Sequence, residues 1–148
     1  MSNANPSVNR YLKDKAMDHI DHALGRPVEP LAPTFRNHFA TDATGQQAAD
    51  FFASPYWEPA GRTGDMAFFA VNEEGRRALS AHLKAIGDPH RPYAVTYEGT
   101  TSIVPAKSAS AAKYALYLQI SDCFCDLRFR DFVGKTRAVL AARSNVYG

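Results

Sequence analysis

The stretch Tyr56-Trp57-Glu58-Pro59-Ala60-Gly61-Arg62-Thr63-Gly64-Asp65-Met66-Ala67-Phe68-Phe69-Ala70-Val71-Asn72-Glu73-Glu74-Gly75-Arg76-Arg77-Ala78-Leu79-Ser80-Ala81-His82-Leu83-Lys84-Ala85-Ile86 reads as a hairpin followed by a helix. Tyr56–Glu58 and Met66–Val71 are the two strand segments, and Pro59–Asp65 is the turn, where Gly61 and Gly64 supply tight backbone. Asn72 is placed to cap the helix, and Glu73 and Glu74 fall in its first turn, where the positive end of the dipole favours acids. Ala78, Leu79, His82, Leu83 and Ile86 make its buried stripe, and Gly87 ends it.

Upstream, Val8, Leu12, Met17, Ile20 and Leu24 recur at helical spacing, which predicts a helix over Ser7–Leu24 that Gly25 and Pro27 stop. Pro27, Pro30 and Pro33 then exclude helix, so Arg26–Thr41 reads as an ordered connection with Phe35 and Phe39 anchoring it to the core. A short helix over Gly45–Ser54, capped by Thr44 and stopped by Pro55, offers Ala48, Ala49, Phe51 and Phe52 for burial. Downstream, Tyr93–Tyr97 and Thr101–Ala106 flank Glu98-Gly99 as a second hairpin. A helix capped by Ser108 or Ser110 runs to Ile120 with Ala111, Tyr114, Ala115 and Leu118 on one face. A last helix over Arg128–Ala142 sets Phe129, Phe132, Val133, Val139 and Leu140 against Arg130, Lys135 and Arg137. The expected class is α+β, with two β-hairpins each followed by a helix. The expected organisation is residues 1–88 as a helix plus a winged-helix-like unit and 89–148 as a hairpin plus two helices, packed as one compact body.

Composition excludes more than it selects. The 148 residues are 45% hydrophobic and 22% charged, ordinary for a folded chain. A net charge of +2 is far from the excess of a nucleic-acid or membrane binder, although residues 107–148 hold seven Lys and Arg against three Asp. Cys123 and Cys125 sit one residue apart, poorly placed to bridge each other and short of two ligands for zinc, so they read as reduced thiols. The N-terminus carries no export pattern, and the longest apolar run, Met66–Val71, falls far short of the ~20 residues that span a bilayer. A soluble cytoplasmic protein is expected.

Asp18, Asp21 and His22 occupy neighbouring helical positions but have no further ligand in reach, so no metal is expected and these residues read as solvated. Phosphate loops, a nucleophile elbow and a His-Glu-x-x-His helix are missing from the sequence, and no cofactor is expected. A small enzyme would need a polar pocket joining His38, His82 or Cys123. Arg36, Asn37 and His38 pack a cation, an amide and an imidazole between two aromatics in an irregular segment, and with Tyr56 and Trp57 they are the expected partner-binding residues.

Gly64 through Leu79, with its polar hairpin, strand, capping residue, glycine and basic pair, resembles the wing and closing helix of winged-helix proteins of the MarR type. The resemblance implies DNA contacts from Arg62, Arg76 and Arg77, with Arg130, Lys135 and Arg137 as a second set. That family reads DNA with the helix before the wing, and here Gly45–Ser54 offers Gln46 and Gln47, no Lys or Arg, and Asp50, which repels phosphate. Asp21-His22-Ala23-Leu24-Gly25-Arg26-Pro27, Phe35-Arg36-Asn37-His38-Phe39, Val71-Asn72-Glu73-Glu74-Gly75, Tyr93–Ala106 followed by Lys107–Tyr114, and the helix start Asp126-Leu127-x-Phe129-x-Asp131-Phe132 resemble uncharacterised small proteins of alphaproteobacterial phages and prophages. That likeness implies a phage or prophage setting and carries no activity; the missing catalytic motifs, the acidic helix before the wing and the aromatics near the wing lead to a non-enzymatic accessory protein that binds a protein partner, such as host defence or replication machinery. A winged-helix DNA-binding regulator is the alternative, and an enzyme the third.

Overall fold

The computed structural model of the protein describes residues 5–121 and 127–141. They form an α+β structure of five helices and two three-stranded antiparallel sheets. The chain divides into two compact units, one of residues 9–88 and one of residues 1–8 with 89–148.

The first unit runs α1 (Lys15–Ala23), β1 (Phe39–Asp42), α2 (Gln46–Ala53), β2 (Trp57–Thr63), β3 (Met66–Val71) and α3 (Glu73–Ala85). β3 is central, flanked by β1 and β2. The hairpin is longer than the sequence suggests: β2 extends to Thr63, and the turn shrinks to Gly64-Asp65, with Gly64 at φ 58°. A bulge between Pro59 and Gly61 absorbs the proline, which cannot donate to a ladder. Asn72 caps α3 by accepting from the Gly75 N–H at 2.9 Å. Gly75 lets the helix sit tightly on the hairpin, since a Cβ there would stand 2.5 Å from Val71 Cγ1 and 2.7 Å from the Tyr56 carbonyl. Phe51 stacks on Trp57 at 4.2 Å and meets Phe39 and Phe69 edge-on, beside Ile20, Leu24, Leu79 and Leu83.

Three expectations for this unit give way. Helix α1 begins only at Lys15, because Asp14 accepts from the Met17 N–H and caps it there. The Arg26–Thr41 connection ends in a strand, as Phe39–Asp42 pairs with β3. Helix α2 is capped by Gly45, because Thr44 is engaged in a turn with the Asp42 carboxylate, and Phe52 and Ile86 are exposed.

The second unit holds β4 (Arg91–Tyr97), β5 (Thr100–Ala106), α4 (Ala109–Ser121), α5 (Phe129–Gly134) and β6 (Thr136–Leu140), with β4 central. Glu98 and Gly99 make a two-residue turn with φ 51° and 78°, the primed geometry that matches strand twist. Ser108 caps α4 through the Ala111 N–H. The buried face of α4 is Ala112 and Leu116, one position round from the expected one, so Tyr114 and Leu118 are exposed. The single long last helix is corrected to a six-residue helix and a strand. Phe132 turns into the core, the chain reverses at Lys135, and Thr136–Leu140 pairs with β4.

Candidate functional site

The loop between α1 and β1 is held from three sides. From the first turns of α3, Arg76 donates to the Pro30 carbonyl at 3.1 Å, the Ala32 carbonyl at 3.2 Å and Thr34 Oγ1 at 3.0 Å. Pro27, Pro30 and Pro33 take N–H donors out of this loop, and the guanidinium fork supplies two of its carbonyls. Burial of Arg76 in this contact pushes its pKa down from the ordinary arginine value. Asn37 then treats the end of β3 as a strand would, donating to the Val71 carbonyl at 2.8 Å and accepting from the Val71 N–H at 2.7 Å. The His38 N–H donates to the Ala23 carbonyl at 3.1 Å, and Thr34 Oγ1 donates to the Arg36 carbonyl at 2.8 Å. Between these fixed points Phe35 is 92% exposed, where the sequence suggests an anchor on the core.

Beside Phe35, an open pocket of about 240 Å³ is lined by His22, Arg36, His38, Phe39 and Ala40. Gly25, at φ +83°, makes room for the arginine, since a Cβ there would meet Arg36 Cγ at 2.9 Å. The His38 ring stacks on Phe68 at 5.2 Å, and the His22 ring meets Phe39 edge-on at 5.9 Å. His19, on the same helix as His22, packs against Phe39 and Phe51, and burial holds its pKa below the usual histidine value.

Of the three residues read as solvated on this helix, His22 is exposed, Asp18 is half-buried and Asp21 is withdrawn from solvent. Asp21 is fully buried and takes a bidentate grip from Arg10, with Nε at 3.0 Å and Nη2 at 2.7 Å. Arg10 also reaches Asp88 at 3.1 Å and the Pro27 carbonyl at 2.8 Å. Arg26 bridges Asp18 at 2.7 Å and Asp21 at 3.1 Å and lies over the Tyr11 ring at 4.6 Å. Arg26 is also the main reason that the Asp18 pKa is lowered. The five charges satisfy one another and close the corner where the chain enters and leaves the unit. Sequence reasoning missed this, and the only signal was two arginines flanking a helix with inward acids.

The remaining expected residues scatter. Trp57 is buried against Phe51 and is not available to a partner, while Tyr56 is half-buried and its carbonyl accepts from Asn72. Of the expected phosphate contacts, Arg76 is committed to the loop, Arg77 pairs with Glu74 at 3.3 Å, and Arg62 is exposed at the hairpin tip with Nε on the Gly64 carbonyl. Arg130, Lys135 and Arg137 do not share a helix face, since they lie on α5, at its end and on β6. Gln46 donates to Asp50 along α2, which leaves its exposed side without a cation. His38 and His82 line different pockets, so they do not form one polar site, and Cys123 and Cys125 lie outside the described residues. Among the described residues no group of three or more His, Cys, Asp or Glu could hold a metal ion.

No family model, curated protein or solved structure matches the chain. Among the described residues, no helix is long and apolar enough to cross a membrane.

Proposed function

We propose that this chain acts by binding another protein, as a non-enzymatic accessory protein in the cytoplasm of a bacterial host, and that Phe35 with Arg36 and His38 is the contact. The exposure of Phe35 on a pinned backbone carries the reading. Burying a phenylalanine side chain is worth about 1.5–3 kcal/mol, and here the chain leaves that unrealised in isolation. Because Arg76 and Asn37 already order the loop, a partner that covers Phe35 meets little further entropic cost. Aromatic and arginine side chains dominate such contacts. The phage setting rests on the sequence resemblance alone.

The DNA-binding alternative draws on the hairpin of β2 and β3 followed by α3, the part of the chain that resembles a wing and its closing helix. It is weakened by the single, cation-free helix between β1 and β2, since a reader of the major groove needs one to face the bases. A pull-down from a bacterial host with the intact chain separates the two. A protein recovered by the wild type and lost with Phe35→Ala, at unchanged melting temperature, is the expected result. Recovery of nucleic acid with no protein would overturn the proposal.

A further inference from the structure

We infer that the pocket between His22, Arg36 and His38 is a binding site for a phosphate monoester. The three groups come from α1 and from the loop before β1, and each is placed by a separate contact. Arg36 is seated over Gly25, His38 stacks on Phe68 and His22 sits against the Phe39 edge. No carboxylate lines the pocket, and among the described residues none pairs with Arg36. The acids on α1 nearest in sequence are already committed, Asp21 to Arg10 and Arg26, and Asp18 to Arg26 and the Leu12 N–H. The Arg36 cation therefore lines the opening without a carboxylate to neutralise it.

The chemistry of the donors selects the ligand. A guanidinium presents a planar fork suited to two oxygens of a phosphate, and each imidazole ring can add an N–H donor. A phosphate monoester carries close to two negative charges and three acceptor oxygens, one more oxygen than a carboxylate. The pocket's volume of about 240 Å³ corresponds to roughly eight waters, room for the phosphate and part of the group that bears it. Phe39 and Ala40 supply apolar wall for that group. The inference does not depend on the partner-binding reading, because the pocket accepts a free phosphate ester or a phosphorylated side chain.

The test is an NMR titration of the intact chain at pH 6, following the His22 and His38 ring signals. Phenyl phosphate, benzoate and a phosphoserine peptide are the probes. Phenyl phosphate should give saturable shifts in both rings and bind at least tenfold more tightly than benzoate. Arg36→Gln, whose side chain is exposed, should lose that binding at least tenfold with no change in melting temperature. A peptide that binds more tightly than phenyl phosphate, with the gain abolished by Phe35→Ala, places the phosphate on a protein partner. Equal binding of peptide and phenyl phosphate, indifferent to Phe35, places it on a small molecule. Shifts that do not saturate, benzoate binding as well as phenyl phosphate, or an unaltered response in Arg36→Gln would each overturn the inference.

Discussion

Both units are built on a hairpin followed by a helix, and each recruits a third strand, but from opposite ends of the hairpin. In the first, β1 arrives before the hairpin and pairs with its second strand; in the second, β6 arrives after the helices and pairs with the first strand. The composition of each hairpin decides which strand becomes central. β2 carries Pro59 and a bulge, so it cannot serve two neighbours, while β3 points Ala67, Phe69 and Val71 into the core without interruption. β4 carries Pro92 only at its end, outside the residues that pair with β6, and turns Tyr93, Val95 and Tyr97 to one core, while β5 carries Pro105 on an edge. The units also differ in what secures them. The first unit closes around buried charges and the second around Phe132.

That contrast breaks most visibly at Arg10. Arg10→Met should cost about 3–5 kcal/mol in urea unfolding of the intact chain, because it strands the fully buried Asp21 with Arg26 alone. A loss under 1 kcal/mol would mean that the charges do not secure the unit. The two helical glycines give the next largest difference. Gly75→Ala should destabilise by about 1–3 kcal/mol through overpacking against Val71 and Tyr56, despite the better helix propensity of alanine. Gly134→Ala, with open space around it, should be neutral or gain a few tenths.

A pH effect is expected in the first unit. The pKa values of His19 and Asp18 both lie below their ordinary values in the folded state. A depressed pKa means that the unfolded chain binds more protons, so stability is full above the unfolded value and falls as pH drops through the folded one. Urea midpoints should thus decline as pH falls below about 6.5 for His19 and again below about 4 for Asp18. His19→Gln should remove the first decline and leave the second. The smallest effect concerns the two turns. Glu98→Asn, which places a residue tolerant of positive φ at φ 51°, should stabilise the second hairpin by up to about 1 kcal/mol, measured by thermal unfolding.

What could be read from the sequence was local. The Asn72 cap, the Gly64 turn, the Glu98-Gly99 turn and the hairpin strands depend on neighbours a few residues away, and they stand in the structure. The two recruited strands depend on distant partners. Phe39–Asp42 follows a proline-rich stretch and is too short to show alternation, and Val133, Val139 and Leu140 fit a helical period as well as a strand. The site was half legible. Arg36 and His38 drew notice as polar groups in an irregular segment, but Phe35 was assigned inward because large apolar residues usually go there. His22, which lines the same pocket, is legible in the sequence only as a metal ligand without partners, and Arg10 gives no signal of its own, because charged groups on a helix are ordinarily solvated.

The bond between Arg10 and Asp88 joins residues 78 positions apart, at the two ends of the first unit. The unit's entrance and exit are therefore neighbours in space, as in domains that tolerate transplantation. Residues 9–88 have the anatomy of a cassette: a host chain needs only a narrow gap in a surface loop to accept them, and new termini opened at the Gly64-Asp65 turn would leave that latch closed.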